Sequence, residues 1–367
     1  MKVCYFGTFE EDYPRNITFI EALKKVGVDV MVCHASIKAD KSSLGKVTYL
    51  PKLFLSYIRV YFFLVLKALS LQCDAVIIGY PAHLDVLIFY RIFKLKGIPL
   101  FFNPLVSLYD TFVYDRMTFK EGSMLAKLIF FIDKLAFSLP EKVFIDTNAH
   151  RDFLSELFGV SKERFTVIPV GALEPFFTDE EVEKAEYFQI LYCGKYIPLH
   201  SVETIVKAAN LLKTEKEIKF KLIGTGQEYR KIRKIVADEH IDNIEFIEWM
   251  NPEELAKEIK RSHIVLGIFK REGKASRVVP NKVYDALAAG AVVVTEDSDA
   301  VREFFQDGEQ LFLVEPENPK KLAEKIKWIK DNYQLAQKTA KNGYDAVRRF
   351  ASLENIGELI KKELQKG

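Results

Sequence analysis

The chain has 367 residues, too many for one ordinary core and suited to two α/β domains. Hydrophobic residues make up 49% and charged residues 28%, a globular balance that excludes a disordered or fibrous chain. The formal net charge of +2 gives no global footprint for nucleic acid, so no nucleic-acid partner is expected.

In chain order, the segment from Lys2 to Gly7 reads as a strand ending at a glycine, without the apolar region and cleavage site of a signal peptide. A helix from Ile17 to Val26, a strand from Val28 to His34, a helix from Leu53 to Gln72 and a strand from Asp74 to Tyr80 follow. The alternation continues with a helix from Leu84 to Lys96, a strand from Ile98 to Pro104, a helix from Leu125 to Leu139 and a strand from Lys142 to Thr147. A helix from Ala149 to Phe158 and a strand from Phe165 to Gly171 complete the first half. Short, continuously apolar strands between helices predict a parallel sheet covered on both faces, a doubly wound domain. The stretch from Ala172 to Tyr187 is acidic, contains Pro175 and has no apolar period, which predicts an interdomain linker.

The alternation restarts with strands from Phe188 to Gly194, Phe220 to Gly224, Ile244 to Trp249, His263 to Phe269, Ala291 to Thr295 and Gln310 to Glu315. Helices from Val202, Gln227, Pro252, Lys282 and Ala300 lie between them, and the tail from Pro319 to Lys366 reads as helical. Open parallel sheets bind ligands at the carboxyl ends of their strands, so two such domains predict a site in the cleft between them. Cys4, Cys33, Cys73 and Cys193 are far apart and form no C-x-x-C pair. That spacing predicts neither a zinc site nor a disulfide framework and fits a reducing cytoplasm.

Four stretches carry a family resemblance: VIPVGALEPFF from Val167, LYCGKYIPLHSVETIVKAA from Leu191, FKLIGTGQEYRKI from Phe220 and PNKVYDALAAGAVVVT from Pro280. In that order and spacing they resemble the retaining glycosyltransferases of family four, which have the GT-B fold of two Rossmann-like domains facing across a cleft. The resemblance implies an acceptor-binding domain over residues 1–171 and a linker over 172–187. It also implies a nucleotide-sugar-binding domain over 188–347, with a last helix over about 348–367 packing back on the first domain. It further implies a glycosyltransferase that moves a sugar from a nucleotide-sugar donor to a saccharide or lipid-linked saccharide acceptor. No cofactor and no metal are expected, since no DxD triplet stands in a clear metal-binding context.

The residues themselves suggest how a nucleoside diphosphate would be held. Backbone N–H groups at a helix N-terminus hold phosphate well, and Pro280 and Asn281 read as a helix start, with Asn281 a good cap. Lys282 adds a cation in the first turn, where a solvated lysine is the alternative. The resemblance places Asp285 on the ribose hydroxyls, which a carboxylate accepts well, and Gly290 reads as a helix C-cap. It puts Gly194 and Lys195 at the donor phosphates and the family's second basic position at His200, where the family usually has lysine. A histidine there is charged only in part at neutral pH. The family's other acidic residue falls at Arg277, which joins Lys270, Arg271 and Lys274 in a basic loop that either clamps an anionic donor or is simply solvated. Trp249 and Met250 fall where the family binds the base, while the GTG turn from Gly224 to Gly226 reads as turn glycines.

The resemblance puts the acceptor on the first domain. Gly7 ends a strand before a loop through Arg15 and Asn16, and Asp110 and Asp115 follow a later strand. Asp110 is the preferred contact, and either aspartate is alternatively a local helix cap. Lys195, His200 and Asp110 are thus the catalytic candidates. The stretches KLFLSYIRVYFFLVLK from Lys52 and KLIFFIDK from Lys127 combine apolar bulk with basic residues. They read either as interfacial helices of a peripheral membrane enzyme at the inner face of the cell membrane or as core helices. Other outcomes for this fold are a non-hydrolysing nucleotide-sugar epimerase or a noncatalytic nucleotide-sugar-binding protein.

Overall fold

The computed structural model describes residues 1–36, 49–177 and 180–367, with side chains from residue 55 onward in the helix that begins at Tyr49. The strands are β1 (Lys2–Gly7), β2 (Asp29–His34), β3 (Ala75–Ile78), β4 (Leu100–Phe102), β5 (Lys142–Ile145), β6 (Phe165–Val167), β7 (Phe188–Cys193), β8 (Ile218–Ile223), β9 (Ile244–Ile247), β10 (Ile264–Leu266), β11 (Val293–Glu296) and β12 (Phe312–Val314). The α-helices are α1 (Pro14–Lys25), α2 (Tyr49–Ser70), α3 (His83–Leu95), α4 (Met124–Ser138), α5 (Asn148–Phe158), α6 (Val202–Leu211), α7 (Tyr229–Asp238), α8 (Pro252–Arg261), α9 (Asn281–Ala288), α10 (Asp299–Arg302), α11 (Pro319–Asp331), α12 (Tyr333–Phe350) and α13 (Leu353–Leu364).

The chain divides into two compact units. The first comprises Met1–Asp146, Arg151–Ile168 and Leu353–Gly367, and the second Thr147–His150 and Pro169–Ser352. In the first unit six parallel strands form sheet A, in the order β2-β1-β3-β4-β5-β6. Their side chains alternate between two cores, as strand geometry requires. Cys4 and Phe6 meet Val86, Phe89 and Ala136 on one face, whereas Val3 and Tyr5 meet Phe19, Ile356 and Ile360 on the other. Helices α1 and α13 cover this second face and approach so closely that a Cβ on Gly357 would collide with the Ala22 carbonyl.

The second unit holds sheet B, six parallel strands in the order β12-β11-β10-β7-β8-β9. Strand β7 is buried along its whole length, as expected of a central strand covered on both faces. The connection direction reverses between β7 and β10, and in sheet A between β1 and β3. Such reversals leave a crevice at the carboxyl ends of the strands.

One expected boundary differs. Of the stretch read as a linker, residues 178 and 179 lie outside the described residues, and the rest groups with the second unit. Glu174–Phe176 forms a 3₁₀ turn with Phe176 buried. The amide of Ala185 donates to the Arg261 carbonyl at 3.1 Å and Lys184 to that of Ser262 at 2.8 Å, so this stretch is packed along the end of α8. The helical tail breaks after Phe350: α12 belongs to the second unit, and α13, which falls within the expected last helix over about 348–367, groups with the first.

The α1–α13 crossing predicts that Gly357→Ala destabilises the chain by about 2–4 kcal/mol, since neither backbone has a flexible side chain that can yield. Urea denaturation measures it, and a loss below about 0.5 kcal/mol would contradict a close backbone contact.

Candidate active site

The carboxyl end of β7 is where the second unit concentrates its chemistry. Gly194 has φ +146°, and a Cβ there would lie 2.5 Å from Lys282 Nζ and 3.5 Å from His200 Cε1. The missing side chain is what lets Lys282 and His200 share this spot. The loop after β7 is held down by the loop after β8: Tyr196 N donates to the Thr225 carbonyl at 2.9 Å and Glu228 N to that of Tyr196 at 2.9 Å. A Cβ on Gly224 would strike the Gly194 carbonyl, and one on Gly226 would lie 2.6 Å from the Tyr196 carbonyl. The GTG turn is therefore a close backbone approach that seats the site.

Helix α9 brings Lys282. Its N-cap is Pro280, with no side-chain cap bond, so Asn281 is the first helical residue and does not cap as its residue type suggested. Lys282 is buried, at 8% exposure. Its ammonium stands 4.1 Å over the Tyr192 ring and 3.4 Å from His200 Nδ1. No carboxylate lies within ion-pair distance of it among the described residues. Burial pulls its pKa down to about 8, against smaller upward pulls from Cys193 and Glu296. An ammonium buried beside an aromatic face and an imidazole, without a carboxylate, is a charge that a negative ligand would stabilise.

His200 differs from a second cationic position. Burial and the Lys282 charge hold its pKa well below the usual histidine value, so the ring is neutral at pH 7. Its Nδ1 is 2.6 Å from the Lys195 carbonyl and 2.8 Å from the Tyr192 hydroxyl, which itself donates to that carbonyl at 3.0 Å. The short carbonyl contact selects the Nδ1–H tautomer and makes His200 a brace for the Lys195 backbone. The Lys195 side chain is exposed.

Asp285 follows one turn into α9. Burial raises its carboxyl to about 8, and the Leu173 backbone hydrogen-bonds it in opposition. Gly290, with φ +71°, follows the helix end, its N–H donating to the Leu287 carbonyl at 3.0 Å, as its reading as a cap requires. Arg277 is half-buried at the end of the turn Gly273–Arg277. Two of its basic neighbours are engaged elsewhere: Lys270 lies 2.5 Å from Glu317 and Arg271 2.9 Å from Glu315. That leaves Arg277 and Lys274 as the residues of this loop to which the clamp alternative still applies. Trp249 is 74% exposed and Met250 half-buried, both beyond the end of β9.

One residue that sequence reasoning passed over joins this group. Glu296 ends β11, is fully buried and takes 2.7 Å from the Thr295 hydroxyl on Oε2, while its Oε1 has no partner. Burial pushes it well above the carboxylate range, and Lys282 pulls the other way. A carboxylate at the carboxyl end of a strand beside the order reversal was the available signal.

In the first unit, Gly7 has φ +119° and a Cβ there would collide with Asp85. Asp85 accepts from Thr8 N at 2.5 Å, Thr8 Oγ1 at 3.2 Å and Tyr61 Oη at 2.8 Å, and so fixes the loop after β1. Arg15 and Asn16, expected to face an acceptor, are both fully buried. Arg15 donates to Asn103 Oδ1 and the Ile168 carbonyl, while Asn16 bonds Tyr5, Glu10 and Tyr80, so both side chains hold the fold. Asp110 and Asp115 bound a single π-helical turn flanked by left-handed Leu105 and Met117. Asp110 is buried, with its N–H taken by Ser107 Oγ at 2.9 Å, and Asp115 is half-buried. Neither caps an α-helix.

The packing at Gly194 predicts that Gly194→Val, which drives a side chain into Lys282, weakens nucleotide affinity at least about tenfold. Calorimetric titration with a set of nucleoside diphosphates checks it, with a thermal melt to confirm folding. Unchanged affinity would remove Gly194 and Lys282 from the site.

Residues 175–346 match the family described as glycosyl transferases group 1. An uncharacterised glycosyltransferase of Methanocaldococcus jannaschii is 25% identical over 190 residues, 52% of this chain and 50% of that protein. The poly(glycerol-phosphate) alpha-glucosyltransferase of Bacillus subtilis is 24% identical over 213 residues, 51% of this chain and 30% of that protein. The chain thus spans half or less of the length of these relatives. Anabaena HepE, solved in complex with UDP and glucose, superposes with a TM-score of 0.73 at 14% identity, covering 100% of both chains. The shared architecture is GT-B, two parallel six-stranded sheets with helices. Over residues 175–346, most of its second unit, the chain is thus similar to the group 1 glycosyltransferases, in line with the family four resemblance that its motifs carry.

Proposed function

We propose that this chain is a retaining glycosyltransferase that moves a sugar from a nucleotide sugar to a saccharide or lipid-linked saccharide acceptor, at the cytoplasmic face of a membrane and in cell-surface polysaccharide synthesis. The observation that carries the reading is Lys282: a buried ammonium without a carboxylate partner, at the helix start beside Gly194. A diphosphate supplies the missing negative charge, shared with the α9 N-terminus and Lys195. UDP in the Anabaena neighbour makes uridine the first base to try.

The remaining assignments follow. Asp285 meets the ribose, Trp249 and Met250 flank the base, and Asn281 and Arg277 border the donor. His200, neutral, positions the Lys195 backbone and adds no charge. The first unit, through the Gly7 loop, Asp110 and Asp115, takes the acceptor, with Arg15 and Asn16 supporting that loop. In the reaction the bond from the anomeric carbon to the phosphate oxygen breaks, its electron pair leaving on the diphosphate. The acceptor hydroxyl bonds the same face, and its proton passes to the departing oxygen. The protein contributes positioning and charge stabilisation, without a nucleophile or a resident metal.

Two outcomes are expected. In the free chain the Lys282 ammonium is lost as pH rises through about 8, so UDP affinity holds at neutral pH and falls above it. In Lys282→Gln affinity at pH 7 drops at least about tenfold and that fall disappears. Persistence of the fall in the variant would assign it elsewhere. Incubation with a panel of nucleotide sugars releases nucleoside diphosphate slowly, EDTA leaves the rate unchanged, and NMR of the transferred product shows a retained anomeric configuration. Tight binding without turnover, even with acceptors, would make the chain a binding protein, and interconversion of donor sugars would make it an epimerase.

A further inference from the structure

The layer formed by α2, α3 and α4 covers one face of sheet A, with α3 packed against both of the others. Its outer surface is unusual for a doubly wound domain. Of the 23 large apolar residues that are exposed among those described, 14 lie on these three helices, including Phe62 at 65%, Leu66 at 52%, Leu128 at 53% and Phe131 at 56%. Scattered exposed apolar residues are ordinary, but a contiguous set marks an interaction surface.

Charge says what kind. These helices expose Arg59, Lys67, Arg91, Lys94, Lys127 and Lys134. Their only acidic residues, Asp85 and Asp133, are fully buried. Asp85 is consumed by Thr8 and Tyr61, and Asp133 accepts from Ser107 Oγ at 2.6 Å and Tyr109 N at 2.8 Å. The outer face is thus apolar and basic, with no exposed acid of its own. A second copy seated on it would set cations against cations, whereas anionic lipid headgroups over an acyl interior satisfy both features. Long basic side chains can extend from apolar ground to headgroups, and the Lys67 ammonium already lies on apolar ground, 5.5 Å from the Phe63 ring centroid. Among the described residues no helix is long and apolar enough to cross a membrane, so the contact lies in the interface plane.

We propose that the α2–α3–α4 face docks the first unit on an anionic lipid bilayer. This names the surface and lipid charge behind the membrane contact of the proposed function, and it stands whether or not the donor assignment does. The test is flotation of the full chain with phosphatidylcholine vesicles, with and without about 30% phosphatidylglycerol, at low and high salt. The wild type is expected to partition at least about tenfold more strongly with the anionic lipid and to release as salt rises. K67E/K127E/K134E is expected to lose the lipid-charge preference, and F62S/L66S/F131S to lose binding to both vesicle types. Thermal melts confirm folding, and UDP titration of the same variants separates this idea from the donor site. Failure of the wild type to float with either vesicle overturns the proposal. So does undiminished binding by both variants, or a wild-type dimer that the variants convert to monomers.

Discussion

A charged amine out of water needs an opposite charge, and in the second unit the Lys282 ammonium has an aromatic ring and a neutral imidazole in its place. Burying an unpaired charge costs several kcal/mol, enough to depress its pKa, and that cost falls when an anion binds. Most of what surrounds it serves this arrangement. Gly194 leaves the room, Tyr192 supplies the ring, His200 braces the adjoining backbone, and Glu296 nearby is held toward its neutral form by its own burial. A charged Glu296 would satisfy Lys282 internally and weaken its claim on a ligand.

The fold delivers these groups by topology. Sheet B reverses direction between β7 and β10, and the residues named above come from the carboxyl ends of β7 and β11 and from the start of α9. Three glycines set the spacing: Gly194 against Lys282, and Gly224 and Gly226 against the backbone from Gly194 to Tyr196. Each stands where a Cβ would meet backbone or an ammonium, so the site's geometry is specified by what side chains must be absent as much as by those present. The first unit uses the same device at its own reversal, where Gly7 admits the Asp85 carboxylate beneath the loop after β1.

Much of this was legible in the amino-acid sequence. Apolar runs of strand length alternating with helical periods gave both parallel sheets, because side-chain periodicity is a local property. The segment from Pro280 to Gly290 was readable as a helix start, a cation, a carboxylate and a cap. What was not legible depends on distant neighbours. Lys282 looks like an ordinary first-turn lysine until Gly194 and Tyr192, far earlier in the chain, close over it. His200 reads as a partly charged histidine until burial and Lys282 discharge it. Arg15 and Asn16 look like loop polar groups, yet their partners Asn103, Ile168 and Tyr80 arrive from just beyond the ends of β4, β6 and β3. The stretch from Ala172 to Tyr187 has linker composition, but its contacts with α8 are tertiary.

The two units carry different physical characters: one holds a buried cation without a carboxylate partner, the other presents an apolar, basic face. A transferase joining a nucleotide sugar to a lipid-linked acceptor needs both. The central claim is that the Lys282 ammonium is completed by the donor diphosphate. A crystal structure of the chain with bound UDP tests it most directly. A phosphate oxygen is expected within about 3 Å of Lys282 Nζ, over Gly194. A nucleotide seated with its phosphates more than about 6 Å from that nitrogen would contradict it.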